Sequence, residues 1–483
     1  MIIKVDIKNN IKNLFKTWSG EDAQVISVLP QSGSYRQYYR ISGNSKSAIG
    51  AFNPDHKENK AFITFSKHFR SIGLNVPEFY LDDKNSVTYL IEDLGDVSLF
   101  SFLSENRNLK EFPEKVTSYY KNSLEHLIRF QFEGSEGLDY SVCYPRSSFD
   151  KQSIMWDLNY FKYYFLKLTK TVFDEQLLEN DINKFAEFLL SAEMNNFMYR
   201  DFQSHNIMIK DEKLYFIDYQ GGRKGALQYD VASLLYDAKA DVPQKIRDEL
   251  VEFYIQHLNR RTKINRKEFL NHYYGYILIR ILQAMGAYGF RGLYENKVHF
   301  LKSIPFAIKN LNWLLDNNLL PEGFPELRKS LAKIINNDEL SKFGYHETQD
   351  KLKVTINSFS YKNGIPLDLS GNGGGFVFDC RALPNPGRLE KFKELTGRNK
   401  EVIFFLENES TVKNFLENVS KISEVSIKNY IERKFTSLVI NFGCTGGQHR
   451  SVYSAEKLST LLKNKFDINV EVNHTGLQHK GKS

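Results

Sequence analysis

The chain has 483 residues, a formal net charge of +7, 41% hydrophobic residues and 14% aromatic residues. That length exceeds what one hydrophobic core organises, so two or three domains are expected. The mild positive charge does not by itself indicate nucleic acid or a membrane surface. The cysteines, Cys143, Cys380 and Cys444, are far apart and form neither a disulfide framework nor a zinc spacing, which suits a reducing cytoplasm. The start of the chain shows no charged-then-apolar signal pattern. No run approaches the length of a membrane span, and no internal repeat or low-complexity tract stands out.

In chain order, residues 7–20 read as a helix with Ile11, Leu14, Phe15 and Trp18 on one face. Strands are expected at 24–29 and 35–41, flanking the turn Pro30-Gln31-Ser32-Gly33-Ser34. Two strands joined by small residues can lie over nucleotide phosphates and offer backbone N–H groups, although most such turns are plain hairpins. A third strand at 48–52 contains no Lys, and Glu58, at the start of the next helix, reads either as the leftover partner of such a Lys or, more readily, as a solvated side chain. Residues 75–80 and 88–92 complete a small β-rich lobe, and the chain from Ser98 to about Leu320 reads as mainly helical. Ile154, Leu158, Phe161, Phe165 and Leu168 have the spacing of a buried helix.

The stretch 197–218 carries the chemistry. An apolar run, Phe197-Met198-Tyr199, breaks into Arg200-Asp201-Phe202-Gln203-Ser204-His205-Asn206. A hairpin follows and ends on Ile217-Asp218. Phosphoryl transfer needs a carboxylate to accept the proton of the acceptor hydroxyl, and hard oxygen ligands to hold Mg²⁺ on the nucleotide phosphates. Asp201, Asn206 and Asp218 supply those groups at suitable spacing, whereas a lone Asp-x4-Asn pair is more often a simple turn. Asp230 opens an apolar helix, as a plain cap, as a buried brace for the loop, or as both. Gly221-Gly222-Arg223-Lys224-Gly225 lacks Walker spacing and reads as a flexible connector.

From Lys329 the sequence turns polar, which places a linker at 331–353. Strands alternating with helices then suggest a smaller α/β domain at 354–483. Its most informative segment, Cys444-Thr445-Gly446-Gly447-Gln448-His449-Arg450, joins a buried strand to a helix. Backbone N–H groups, a helix start and a guanidinium would converge there on an anion. The Cys-x5-Arg spacing also fits a phosphatase thiolate, and a plain tight turn is the third reading.

The motifs YRDFQSHNIMI, YFIDYQ and YDVASLL resemble the aminoglycoside phosphotransferase-like kinases, which share the protein-kinase fold. Within that group the chain is most similar to the anomeric sugar kinases acting on N-acetylmuramate and N-acetylglucosamine at C1. The resemblance implies an α+β bilobal kinase domain at 1–330, with a small β-rich lobe at about 1–95 and a helical lobe at about 96–330. It implies ATP and Mg²⁺ as cofactors, with Asp201 as catalytic base, Asn206 and Asp218 as metal ligands and Asp230 as support of the loop. Ser32, Gly33, Ser34 and Arg36 would lie at the nucleotide phosphates, Glu92 and Leu94 at the adenine, and Asp157 at the substrate. Tyr199 stands where protein kinases carry His, and Tyr219-Gln220 replaces their Phe-Gly, which argues against a protein substrate. The missing third-strand Lys fits the anomeric subgroup and leaves the grip on the phosphates to Arg36 or Arg40.

The motifs FVFDCRALPNP and GCTGGQHRSVYSAEKL resemble the C-terminal domain of the RapZ (RNase adapter protein) family. That resemblance implies a phosphosugar ligand, with glucosamine-6-phosphate as the family example, at Asp379, Arg381, Cys444, Thr445, Gly446, Gly447, His449 and Arg450. It also implies RNA as a partner. Gly387 stands where the family usually has His, Asn408 stands where it has an Arg ligand, and the basic tail is reduced to Lys480 and Lys482. The expectation is a cytoplasmic amino-sugar kinase fused to a phosphosugar-sensing domain. The alternatives are a pseudokinase adapter that binds RNA or a phosphosugar, and a kinase of another small molecule such as an aminoglycoside or choline.

Overall fold

The structure, a computed structural model, describes residues 7–30, 36–107, 112–341, 343, 351–366, 368 and 375–478. The chain divides into two compact units. One comprises Met1–Phe290 with Ser303–Ser341, and the other Arg291–Lys302 with Lys342–Ser483. Part of the expected linker at 331–353 is helical, in Pro325–Ile335 and Asp338–Ser341. Residues 342 and 344–350 lie outside the described residues.

The first unit begins with the helix Ile7–Ser19 and five strands: β1 (Val25–Val28), β2 (Gln37–Ser42), β3 (Ser47–Phe52), β4 (Phe79–Asp82) and β5 (Thr88–Ile91). They pair antiparallel in the order β1-β2-β3-β5-β4. Ile11 and Phe15 of the helix pack against Tyr39, Ile41, Ala48 and Leu90 of the sheet, with Leu14 and Trp18 partly buried beside them. The helix lies so close to β3 that a Cβ on Gly50 would sit 2.5 Å from Ile11 Cγ2. The next helix, His56–Ser71, is capped by Asp55, whose carboxylate accepts the N–H groups of Lys57 and Glu58.

Among the described residues, the regular structure of the rest of this unit is helical apart from two small sheets. β6 (Asn196–Met198) pairs antiparallel with β9 (Arg223–Gly225), and β7 (Ile207–Lys210) with β8 (Lys213–Phe216). The β7–β8 connection is a two-residue turn with positive φ at both Asp211 (51°) and Glu212 (61°), the backbone twist that matches twisted strands. The glycine run expected to be a flexible connector forms β9 instead, with Arg223 buried and its Nε donating to the Gly221 carbonyl at 2.9 Å. The glycines there serve close packing, since a Cβ on Gly222 would meet Phe197 Cζ at 2.3 Å. A β-rich lobe followed by a helical lobe is the bilobal kinase-like α+β arrangement.

The second unit holds β10 (Lys353–Ser360), β11 (Gly375–Asp379), β12 (Ser437–Cys444) and β13 (Asn469–His474) in the order β11-β12-β10-β13, all parallel. Parallel strands are covered on both faces and read as apolar runs, as β12 does with Leu438, Val439, Ile440 and Phe442. The helices Lys400–Glu407, Ser410–Glu432 and Arg450–Lys465 supply the packing partners of this sheet. Ser360, Asp379, Cys444 and His474 end the four strands on the edge where open α/β sheets bind ligands. No helix among the described residues is long and apolar enough to cross a membrane.

Candidate functional site

The loop after β6 is held from below by Asp230. Tyr199 N–H donates to Asp230 Oδ2 at 2.7 Å, and Arg200 N–H to Asp230 Oδ1 at 2.9 Å. Asp230 has no exposed surface. Burial pushes its carboxyl up to about 7, opposed by those two N–H groups and by Arg280. The bonds hold Arg200 at φ 82°, a conformation that is costly for a residue with a side chain and persists only when its surroundings impose it.

The Arg200 side chain turns inward. Its Nη2 meets Asp157 Oδ1 at 2.7 Å, its Nη1 bonds the Tyr229 hydroxyl, and its guanidinium lies over the rings of Phe149 and Tyr229. Burial works against this charge, but Asp157 and Tyr229 more than offset it, so Arg200 stays protonated. Asp157, expected at the substrate, is thus the buried partner of Arg200. Its Oδ2 has no hydrogen-bond partner among the described residues.

Asp201, Asn206 and Asp218 come together above this base. Asn206 Nδ2 donates to the Asp201 carbonyl at 2.9 Å and lies 3.5 Å from Asp218 Oδ2. Both neighbours are acceptors, so the amide presents its NH₂ to them and its oxygen elsewhere. A Cβ on Gly221 would lie 3.7 Å from Asp201 Oδ2, an ordinary van der Waals contact, which places Gly221 beside that carboxylate. Asp218 sits at φ 68°, directly after the strand pair. Ile217 N–H donates to the Asn206 carbonyl at 3.0 Å, which ties the two ends of the hairpin.

From the small lobe, Arg36 enters almost wholly buried, at 4% exposure, with Nη2 2.9 Å from Glu58 Oε1 and Nη1 donating to the Tyr38 hydroxyl at 3.2 Å. Glu58 is therefore no solvated side chain. It also accepts from Asn53 Nδ2 at 2.7 Å and from Gln220 Nε2 at 3.3 Å. Arg40 is engaged elsewhere, with Asp93 and Asp96. Glu92 pairs with Lys210 at 2.8 Å and gives its N–H to the Glu78 carbonyl. Leu94 is buried and its backbone makes no hydrogen bond among the described residues. Ser32, Gly33 and Ser34 lie outside the described residues.

Among the described residues no group of three or more His, Cys, Asp or Glu side chains could hold a metal by itself. Mg²⁺ commonly takes one or two protein oxygens and completes its shell with substrate phosphates and water. The Asp218 carboxylate and the Asn206 amide oxygen fit that use.

In the second unit a cavity of about 260 Å³ opens on the loop after β12, lined by Cys444, Thr445, Gly446, His449, Arg450 and Lys393 among others. Cys444 is 3% exposed; its Sγ accepts the Gly447 N–H at 3.2 Å and lies 3.1 Å from Ser451 Oγ. Arg450 Nη1 donates to the Arg381 and Leu383 carbonyls at 2.7 and 3.0 Å. His449 bonds the Phe392 carbonyl through Nε2 at 2.9 Å. Asp379 and Arg381 do not line the cavity. They pair with each other on the surface at 2.6 Å, and Arg381 lies 4.1 Å from the Tyr361 ring centroid. Gly447 faces away from the cavity, towards Ser360 and Gly476. Lys393, which lines the cavity, carried no signal in the sequence, whereas Asn385, which also lines it, belongs to the FVFDCRALPNP motif but was not among the expected ligand residues.

Residues 352–478 match the family model of the RapZ C-terminal domain, and residues 165–266, which include Asp201, Asn206, Asp218 and Asp230, match that of the ecdysteroid kinase-like family. A nucleotide-binding protein of Thermosipho africanus is 34% identical over 155 residues, covering 32% of this chain and 49% of the relative. One of Nitrosomonas europaea is 42% identical over 127 residues, covering 26% of this chain and 42% of the relative. The chain thus spans about half, or less, of the length of these curated relatives. Among solved structures, a choline kinase from Streptococcus pneumoniae aligns at 14% identity over 63% of this chain and 98% of its own, with a TM-score of 0.41. An ethanolamine kinase from Plasmodium vivax aligns at 12% identity over 61% and 84%, with a TM-score of 0.44. Overall similarity at that level says nothing about a substrate. The chain is a kinase-like domain followed by a RapZ C-terminal domain.

Proposed function

We propose that the kinase-like domain, at 1–330, transfers the γ-phosphoryl group of ATP to a sugar hydroxyl, and that the domain at 354–483 binds a phosphosugar. The observation that carries this reading is the meeting of Asp201, Asn206 and Asp218 on a loop fixed by the buried Asp230. The Asp201 carboxylate accepts a hydrogen bond from the acceptor hydroxyl and takes its proton as the oxygen bonds to phosphorus. Asn206 and Asp218 would hold Mg²⁺, which neutralises charge on the nucleotide phosphates. Arg36, balanced by Glu58, is the cation nearest the role of the missing third-strand Lys. The acceptor we favour is the anomeric hydroxyl of N-acetylmuramate or N-acetylglucosamine, on the motif resemblance and on the pairing with a domain suited to an amino-sugar phosphate.

For that second domain, the cavity offers Lys393, His449, Arg450 and the start of the helix Arg450–Lys465 to a phosphate group. Arg450 gives its Nη1 to two backbone carbonyls rather than to the loop, which favours a binding site over cysteine-based phosphatase chemistry. Gly446 has nothing within 4 Å of its Cβ direction, so a side chain there would enter the cavity without disturbing the fold. Gly446→Val is therefore expected to weaken glucosamine-6-phosphate binding about tenfold or more, read by calorimetry, with the thermal midpoint unchanged. Unchanged affinity would remove the ligand from this cavity. The RNA partner implied by resemblance would show salt-sensitive binding, and its absence in a competition assay would remove it.

The deciding experiment is turnover with ATP and Mg²⁺ over N-acetylglucosamine, N-acetylmuramate, glucosamine, choline and aminoglycosides, with phosphorus NMR on the product. A phosphate on an anomeric carbon is expected. A phosphate on another acceptor would keep the kinase and replace the substrate. ATP binding without turnover on any acceptor would leave an adapter.

A further inference from the structure

Gln220 touches Asp218, yet the proposed chemistry gives it no part. It is 9% exposed, and its Nε2 donates to Asp218 Oδ1 at 2.8 Å and to Glu58 Oε1 at 3.3 Å. Both neighbours are carboxylate oxygens, so only the NH₂ end of the amide can face them; reversing it would set three acceptors together. The same Glu58 oxygen takes Arg36 Nη2 at 2.9 Å. A chain of contacts therefore runs Arg36, Glu58, Gln220, Asp218. In it the Glu58 charge is balanced by Arg36, while the donors that meet the Asp218 carboxylate among the described residues are amides.

Asp218 needs such a hold. It sits at positive φ beyond the end of β8, where no ladder fixes its side chain. Among the described residues the other donor at its carboxylate, Asn206 Nδ2, lies at 3.5 Å, the outer limit of a hydrogen bond. The short contact, and with it the rotation of the carboxylate, comes from Gln220.

We infer that Gln220 is a positioning residue: it fixes the Asp218 carboxylate so that one oxygen is bound to the amide and the other is directed to the divalent cation, and it anchors that carboxylate to the Arg36–Glu58 pair of the small lobe. The inference rests on the kinase reading proposed above. Groups that hold a metal ligand in place commonly change metal affinity by about 10- to 100-fold when removed.

The test titrates Mn²⁺, detected by electron paramagnetic resonance, into the full chain with a non-hydrolysable ATP analogue, for the parent and for Gln220→Met. Methionine keeps the length and loses both donors. The variant is expected to bind Mn²⁺ about tenfold more weakly. Its affinity for the analogue in EDTA and its thermal midpoint should match the parent's; a purely structural role would lower one of those as well. Gln220→Asn keeps the amide but is too short to span both carboxylates. It should show the same selective loss, and it serves if the methionine variant does not fold. Equal Mn²⁺ affinity in parent and variants would overturn the inference and leave the kinase reading standing. A parent that binds no Mn²⁺ with the nucleotide analogue would overturn both.

Discussion

Asp201→Asn is expected to lower kcat by about 10³-fold or more while ATP affinity stays within about twofold. The substitution keeps the side-chain volume beside Gly221 and leaves the backbone carbonyl that accepts from Asn206 untouched. The loop, Asn206, Asp218 and the Arg200–Asp157 pair therefore stay in place, and only the carboxylate proposed to take the acceptor proton is lost. Initial rates with the best acceptor, together with nucleotide titration, separate the two quantities. Turnover within a few-fold of the parent would mean that another group is the base. A parallel loss of ATP binding would mean that Asp201 holds the nucleotide rather than the acceptor.

Asp230→Asn is expected to reduce kcat/KM by about 100-fold near pH 8, because one of the two N–H groups it now accepts would face an amide NH₂ in a buried site. Its pH behaviour is more distinctive. Burial raises the Asp230 carboxyl from 3.8 to about 7, so the folded chain takes up this proton more readily than the unfolded one. The stability this group contributes is fully present below about pH 4 and is lost as the pH rises through 7. Activity should run the other way, because only the ionised carboxylate accepts both N–H groups without carrying a competing proton. The parent should thus show an acid limb in kcat/KM with a midpoint near 7 that the variant lacks. Over the same range, the parent's unfolding free energy should decline relative to the variant's. A limb that persists in the variant would assign it to a different group.

The sequence was most readable where neighbours in the chain are neighbours in space. Asp201, Asn206 and Asp218 lie on one loop and one hairpin, and the apolar runs around them announced both strands. Asp230 could be read as cap or brace, and its bonds to Tyr199 and Arg200 show the brace. What stayed hidden involves contacts distant in sequence. Gln220 meets Glu58 across 162 positions, and no periodicity marks such a pair. Asp157 sat inside the apolar spacing of Ile154, Leu158 and Phe161, so the helix was legible and its buried ion pair with Arg200 was not. The glycine run at 221–225 misled because glycine marks both pliable chain and tight packing, and here Phe197 and Met198 fill the space the missing side chains leave. In the second unit the Asp379–Arg381 pair illustrates a further limit: two residues can belong to a recognisable motif and still satisfy each other.

The β7–β8 hairpin also constrains how this chain can vary. Its register pairs Ile207 with Phe216 and Lys210 with Lys213, leaving a two-residue turn between them. Asn206 enters that ladder on one side and Asp218 leaves it on the other. Because side chains alternate faces along a strand, a single inserted or deleted residue in either arm would send one of these two groups to the wrong side. Viable length changes must come as matched pairs, one in each arm, or be confined to the turn. The hairpin is in effect a caliper, and among descendants of this gene, insertions that a surface loop would absorb should here inactivate the protein while leaving it folded.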